Sequence, residues 1–172
     1  MPAESPQQEP TPVPPAPLPI AVPVRPGNRL KWGVRVGLVA VAVSLASVFG
    51  VAAYLNPYGP DGAARTMATH TQLGLPQCNM VALTGHPCPT CGMTTSFALL
   101  VRGDVRASLN ANWVGTVLAV GWAGLLVWAV ACLIAGRLWF IRPGRGEAAA
   151  TAGVALFLVL ALGRWAAILW EG

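Results

Sequence analysis

Three of the four cysteines in this 172-residue chain crowd one stretch, Leu75-Pro-Gln-Cys78-Asn-Met-Val-Ala-Leu-Thr-Gly85-His86-Pro87-Cys88-Pro89-Thr90-Cys91-Gly92-Met93-Thr94-Thr95-Ser96-Phe97. A thiolate is both a nucleophile and a soft metal ligand, so this run can do chemistry in three ways. The first is thiol–disulfide exchange through Cys88 and Cys91, one attacking and the other resolving, with Cys78 as a relay. The second is a metal site. Cys78, Cys88 and Cys91 with His86 make the three-sulfur, one-imidazole set of a tetrahedral zinc site, and the thiolates also suit copper(I). His70 is an alternative fourth ligand, though it reads better as a plain loop residue. The third is a disulfide that staples the loop in an oxidising compartment. Spacing alone leaves all three open, because a single CxxC serves each of them.

Pro89 suits the first position of a helix, where its missing N–H is not needed. The residues therefore predict a helix from Pro89 to Val101, with Cys88 as its N-cap and Gly103 as its stop. Cys88, Cys91, Thr94, Thr95 and Ala98 would share one face, and Met93, Phe97, Leu100 and Val101 another. The positive end of that helix would lower the pKa of Cys88 and make it the reactive thiol. The helix is too short to span a bilayer, so it is expected to be interfacial or re-entrant.

The run from Leu83 to Phe97, followed by Leu100-Val-Arg-Gly-Asp104, resembles a bacterial membrane-protein family, the domain of unknown function numbered 2752. That family has a Thr-Gly-x-Pro-Cys-Pro-x-Cys-Gly-x-Thr core, an upstream cysteine and a downstream Arg-Gly-Asp-like turn. Cys78, Gly85, Pro87, Cys88, Pro89, Cys91, Gly92, Thr94, Gly103 and Asp104 match it residue by residue. Thr95 stands where members often carry arginine, and Asn112-Trp113 where they often carry Asn-Pro. The resemblance covers roughly Leu75 to Leu125 and implies a membrane setting, but no activity.

The elements that must position this loop are apolar. Only 10% of the residues are charged and 55% are hydrophobic, whereas a soluble domain carries about 25% charged residues. Three apolar runs, 33–55, 113–135 and 148–170, each exceed the roughly 20 residues that cross a bilayer as a helix. The expected fold is thus an all-α integral membrane protein with three transmembrane helices and a short helix carrying the CxxC motif. The membrane domain runs over 33–170, and the cysteine loop over 56–112. Trp32, Tyr54, Trp113, Trp139, Trp165 and Trp170 fall near the run ends, as an aromatic belt requires. Cys132 lies mid-span as a small buried hydrophobe. Arg164, the sole charge in the third run, is expected to snorkel to the interface.

Residues 1–30 are rich in proline and are expected to form a disordered cytoplasmic tail; the first apolar run starts too late for a signal peptide. Arg25, Arg29, Lys31 and Arg35 precede the first span, and Arg137, Arg142 and Arg145 fill the second loop. Positive flanks favour the cytoplasm. The chain is therefore placed in the cell membrane with its N-terminus cytoplasmic, and its cysteine loop and C-terminus outside. The net charge of +5 is spread along span flanks, so nucleic acid is not an expected partner. The lipid bilayer and an unidentified protein are. Asn56-Pro57 reads as a turn, Asp61 as a turn residue and Asp104 as a helix cap. Without a carboxylate pair, nucleophile elbow or phosphate loop, a non-enzymatic structural or interaction role leads.

Overall fold

The computed structural model describes residues 30–139 and 146–171. The proline-rich tail, apart from Leu30, and the arginines at 142 and 145 lie outside the described residues. The described chain is all-helical. Helix α1 covers Trp32–Tyr54, α2 Asn79–Thr84, α3 Met93–Val101, α4 Val105–Ala135 and α5 Gly146–Glu171, with a 3-10 turn at Thr69–Leu73. Helices α1, α4 and α5 are each long and apolar enough to cross a membrane. Their outer faces expose Val36, Val43, Val127, Val154 and Leu156. Lipid covers such faces without the cost that water would impose. The chain has the helices of a membrane protein, one candidate span for each apolar run.

The packing between α1 and α4 uses small side chains, which let helix backbones approach closely. In one cluster Leu38 meets Ala129 and Cys132, so Cys132 is buried in the helix seam as its apolar setting predicts. In the other, Ala52 of α1 and Ala119 of α4 close on Phe97 of α3. Phe97 stacks on Phe49 at 5.9 Å and meets Trp122 edge-on at 5.7 Å.

Helix α4 is two pieces. Asn112 has extended dihedrals (φ −160, ψ 101) inside an otherwise helical run. The second piece begins at Trp113, where the apolar sequence begins. Trp122 lies about 14 Å further along at 1.5 Å per residue. Because Phe97 touches Trp122, α3 packs alongside the second piece of α4. It is wedged between α1 and α4, with Thr95, Ser96, Phe97, Ala98 and Leu99 all buried. Both expected faces are covered in their middle, with Val101 exposed at the end of one.

Turn chemistry follows the sequence. Asn56 Oδ1 accepts from Tyr58 N at 3.1 Å, Asp61 Oδ1 from Ala63 N at 3.2 Å, and Asp104 Oδ1 from Ala107 N at 3.1 Å. The Arg102 guanidinium, a flank charge in the sequence, has a structural task. It donates to Ala53 O at 2.9 Å, Ala98 O at 2.9 Å and Ala52 O at 3.3 Å, closing the free carbonyls at the end of α1 and bonding one of α3.

Helix α5 stands apart, with little of its surface buried. Trp32, Tyr54 and Trp170 stand exposed at helix ends, as belt residues do. Trp165 does not: its Nε1 donates to Pro87 O at 3.0 Å, tying α5 to the cysteine loop.

Candidate functional site, a cluster of three thiols

The three loop cysteines meet. The sulfur atoms of Cys78, Cys88 and Cys91 lie within 4.8 Å of one another, all half-buried. Cys88 Sγ is 3.1 Å from Cys91 Sγ and 3.3 Å from Thr90 Oγ1. The Cys88 backbone N–H donates to Cys91 Sγ at 3.2 Å. Cys78 comes from the start of α2, ten residues earlier in the chain, so the fold itself closes the cluster.

The helix expected from Pro89 begins later, at Met93, and Cys88 is not its N-cap. Gly92 is, in the left-handed region at φ +81. That conformation breaks the helix, so residues 88–91 form a turn closed by Cys91 N to Cys88 O at 3.0 Å. The reason is space as well as dihedral: a Cβ on Gly92 would lie 2.6 Å from the carbonyl oxygens of both Ala111 and Thr66. Residue 92 is pinched between two backbones, and only glycine lets the CxxC turn seat there.

The helix-start position belongs to Cys78, the residue before α2. The Val81 backbone amide and then the Cys91 thiol, both turned toward its sulfur, hold the Cys78 thiol down to about 7. Burial, followed by the neighbouring Cys88 and Cys78 thiols, pushes Cys91 up to about 12. Hydrogen bonding thus makes Cys78 ionise more readily than the buried Cys91.

Neither histidine belongs to the sulfur cluster. His86 is exposed, with Nδ1 2.9 Å from Thr84 O. His70 lines a small cavity of about 140 Å³ together with Cys78, Cys91 and Gly92. Its Nε2 sits 3.2 Å from Pro76 O. Of the two, His70 is the one that shares a cavity with two of the cysteines.

Two residues hold the turn from behind. Asn112 Nδ2 donates to Cys91 O at 3.0 Å, while its Oδ1 accepts from Gly115 N at 3.0 Å. One side chain therefore caps a membrane span and fixes the CxxC backbone. Beside it, Ser108 Oγ donates to Ser96 O at 2.8 Å and lies 2.7 Å from Thr116 Oγ1, all of these groups buried. An asparagine at the start of an apolar run is a legible cap signal; its second bond, to residue 91, is not. Asn112→Ala is expected to lower stability by roughly 2 kcal/mol, a lost cap plus an unmet buried carbonyl. Thermal unfolding in detergent reads this directly.

Arg164 does not snorkel. It is half-buried, Nη2 donates to Ala111 O at 3.3 Å, and Nη1 is sealed from solvent with no hydrogen-bond partner among the described residues. The Ala111 carbonyl is one of the two that pinch Gly92, so the guanidinium sits behind the CxxC turn. Nothing in the sequence of α5 could place this contact, which spans 53 residues.

Residues 78–135 match the model of a family described as protein of unknown function (DUF2752). The match opens on Cys78 and runs through the thiol cluster, α3 and α4 to Ala135, so the resemblance read from the residues holds over this stretch. No curated protein and no solved structure matches the chain.

Proposed function

We propose that this membrane protein binds a thiophilic metal ion, zinc or copper(I), through Cys78, Cys88 and Cys91, in a non-enzymatic role. The convergence of three sulfurs from two separate segments carries the reading. Exchange needs only two thiols and a staple needs only two, whereas a third at the same point adds a ligand. Three protein ligands leave a fourth position, which His70, His86 or water can fill. The cluster would let the protein hold or pass on the ion, with an unidentified protein docking at the loop.

A second reading, thiol–disulfide exchange, is favoured by the 3.1 Å between Cys88 Sγ and Cys91 Sγ. There the two thiols become a disulfide, and two electrons and two protons pass to the disulfide of a partner protein. Purified protein in detergent separates the two. About one metal ion per chain with the three loop thiols protected from alkylation supports the metal reading. No metal, with loop thiols that alkylate rapidly when reduced and are hidden in a disulfide that reductant reopens, supports exchange and overturns the metal reading.

The orientation belongs to the same proposal. The N-terminus is cytoplasmic in a cell membrane, and the loop and C-terminus lie outside, because basic residues flank the start of α1 and fill the α4–α5 loop. In intact cells expressing the protein, a membrane-impermeant maleimide is expected to label the loop cysteines before lysis. Labelling only after lysis reverses the topology.

A further inference from the structure

We propose that the cavity between α4 and α5 binds the phosphate of an anionic phospholipid, with Arg164 as its anchor. The cavity measures about 530 Å³ and is lined by Asn110 and Trp113 of α4, Gly163 and Arg164 of α5, and the apolar walls Leu109 and Ile168. Leu109, Asn110, Trp113 and Gly163 are exposed, so it opens to the surroundings. Three of the lining side chains carry hydrogen-bond donors: a guanidinium, an amide and an indole N–H. The guanidinium is poorly satisfied. Its single hydrogen bond among the described residues is Nη2 to Ala111 O at 3.3 Å, and Nη1 has no partner there. No Asp or Glu among the described residues lines the cavity. A permanent cation half-buried in an otherwise apolar run is costly until an anion meets it. The inference stands apart from the metal reading, since no cysteine lines this cavity.

The chemistry of the lining selects the ligand. A phosphate offers several acceptor oxygens to a planar guanidinium, which can hold two of them at once, and leaves others for the amide and the indole. Leu109 and Ile168 then cover the glycerol and the first acyl carbons, which a free phosphate lacks. Trp113 opens the second apolar run, and Arg164 bonds the carbonyl two residues before it. The cation therefore stands at the level where headgroups meet hydrocarbon. A zwitterionic lipid fits less well, because its ammonium finds no described carboxylate here and lies near a like charge. Helix α5 buries little of its surface in the bundle, and a lipid held by both helices gives it a further contact with α4.

The full chain, purified in a neutral detergent, is titrated with phosphatidylglycerol, phosphatidylcholine or inorganic phosphate, and native mass spectrometry counts the bound ligand. Wild type is expected to take up one phosphatidylglycerol per chain and to hold it more tightly than either alternative. Arg164→Gln is expected to weaken that binding by about 10-fold or more, the loss of a hydrogen-bonded charge pair. Gly163→Leu tests the cavity without touching the charge. A Cβ at residue 163 meets nothing within 4 Å, so leucine fills the space the lipid would use and is expected to weaken binding as well. Arg65→Gln removes an exposed charge from the loop before the cysteines and leaves the affinity as in wild type. Circular dichroism checks that the α5 variants fold, and Gly163→Leu decides the matter if Arg164→Gln does not. The inference is overturned if wild type prefers neither lipid, if either folded α5 variant binds phosphatidylglycerol as tightly as wild type, or if Arg65→Gln weakens binding equally. Inorganic phosphate bound as tightly as the lipid overturns the lipid as its source. Metal content enters none of these outcomes, so the two sites stand or fall separately.

Discussion

Cys91→Ser is expected to strip the bound metal, taking content from about one ion per chain to none while the helices stay folded. Cys91 is the residue that everything else in the site addresses. Its sulfur accepts from Cys88 N at 3.2 Å, its carbonyl is held by Asn112, and Cys78 and Cys88 close on it within 4.8 Å. A serine oxygen is a poor ligand for a soft ion. Loss of a direct ligand should exceed the 10- to 100-fold seen for groups one step further out, so a weakening above about 100-fold is anticipated. Cys132→Ala is the matched control, because Cys132 lies buried in the α1–α4 seam and away from the loop. Elemental analysis of purified protein, with circular dichroism to verify helicity, decides the matter. Metal retained by Cys91→Ser, or lost equally from Cys132→Ala, would contradict the assignment of the site.

The largest effect on stability is expected from Gly92→Ala. Two penalties coincide there. An alanine at φ +81 costs about 1–2 kcal/mol relative to a relaxed backbone, and its Cβ would meet two carbonyl oxygens at 2.6 Å. Both belong to backbone, so neither can swing aside as a flexible side chain would. Either the turn at 88–91 lifts off Asn112 or α4 shifts away from the loop. A loss of about 3 kcal/mol or more follows, visible as a fall in the unfolding midpoint in detergent. Metal binding should fall with it, since the turn carries two of the three sulfurs. Gly62→Ala is the comparison: it shares a positive φ of 77 but has open space around its Cβ. It is expected to show the backbone penalty alone. Equal effects at the two positions would remove the packing argument.

The contrast between these glycines shows what a sequence can and cannot reveal. Spans of 33–55, 113–135 and 148–170 are readable because hydropathy is a sum over some twenty residues, and the helices arrive within two residues of those limits or, for α4, at the hinge after Asn112. The turn at Asn56 and the cap at Asp104 are readable because each bond closes within three residues. Cys88 was misplaced at a helix start because Cys-Pro satisfies the local rule for one. What defeats the rule is Gly92, whose reason lies with Thr66 and Ala111 in distant segments. The same holds for Arg164. Snorkelling is the cheapest outcome for an arginine considered on its own helix, but the helix is not on its own. Cys78, Cys88 and Cys91 sat close enough in sequence to be grouped, while the lowering of one thiol depended on which backbone amide turned toward it.

Translation delivers α5 after the other described helices. By then α3 and both pieces of α4 have been made, and with them the pocket behind the CxxC turn. A helix carrying arginine enters the bilayer against a penalty of roughly 2.5–3.5 kcal/mol for a central position on insertion scales, which its leucines and valines offset. Once inside, it buries little apolar surface, so lipid serves it almost as well as protein. Two polar side chains, Arg164 on Ala111 O and Trp165 on Pro87 O, decide whether it docks. Docking of α5 thus hangs on two side-chain bonds to backbone carbonyls of other segments, one of them in the cysteine loop.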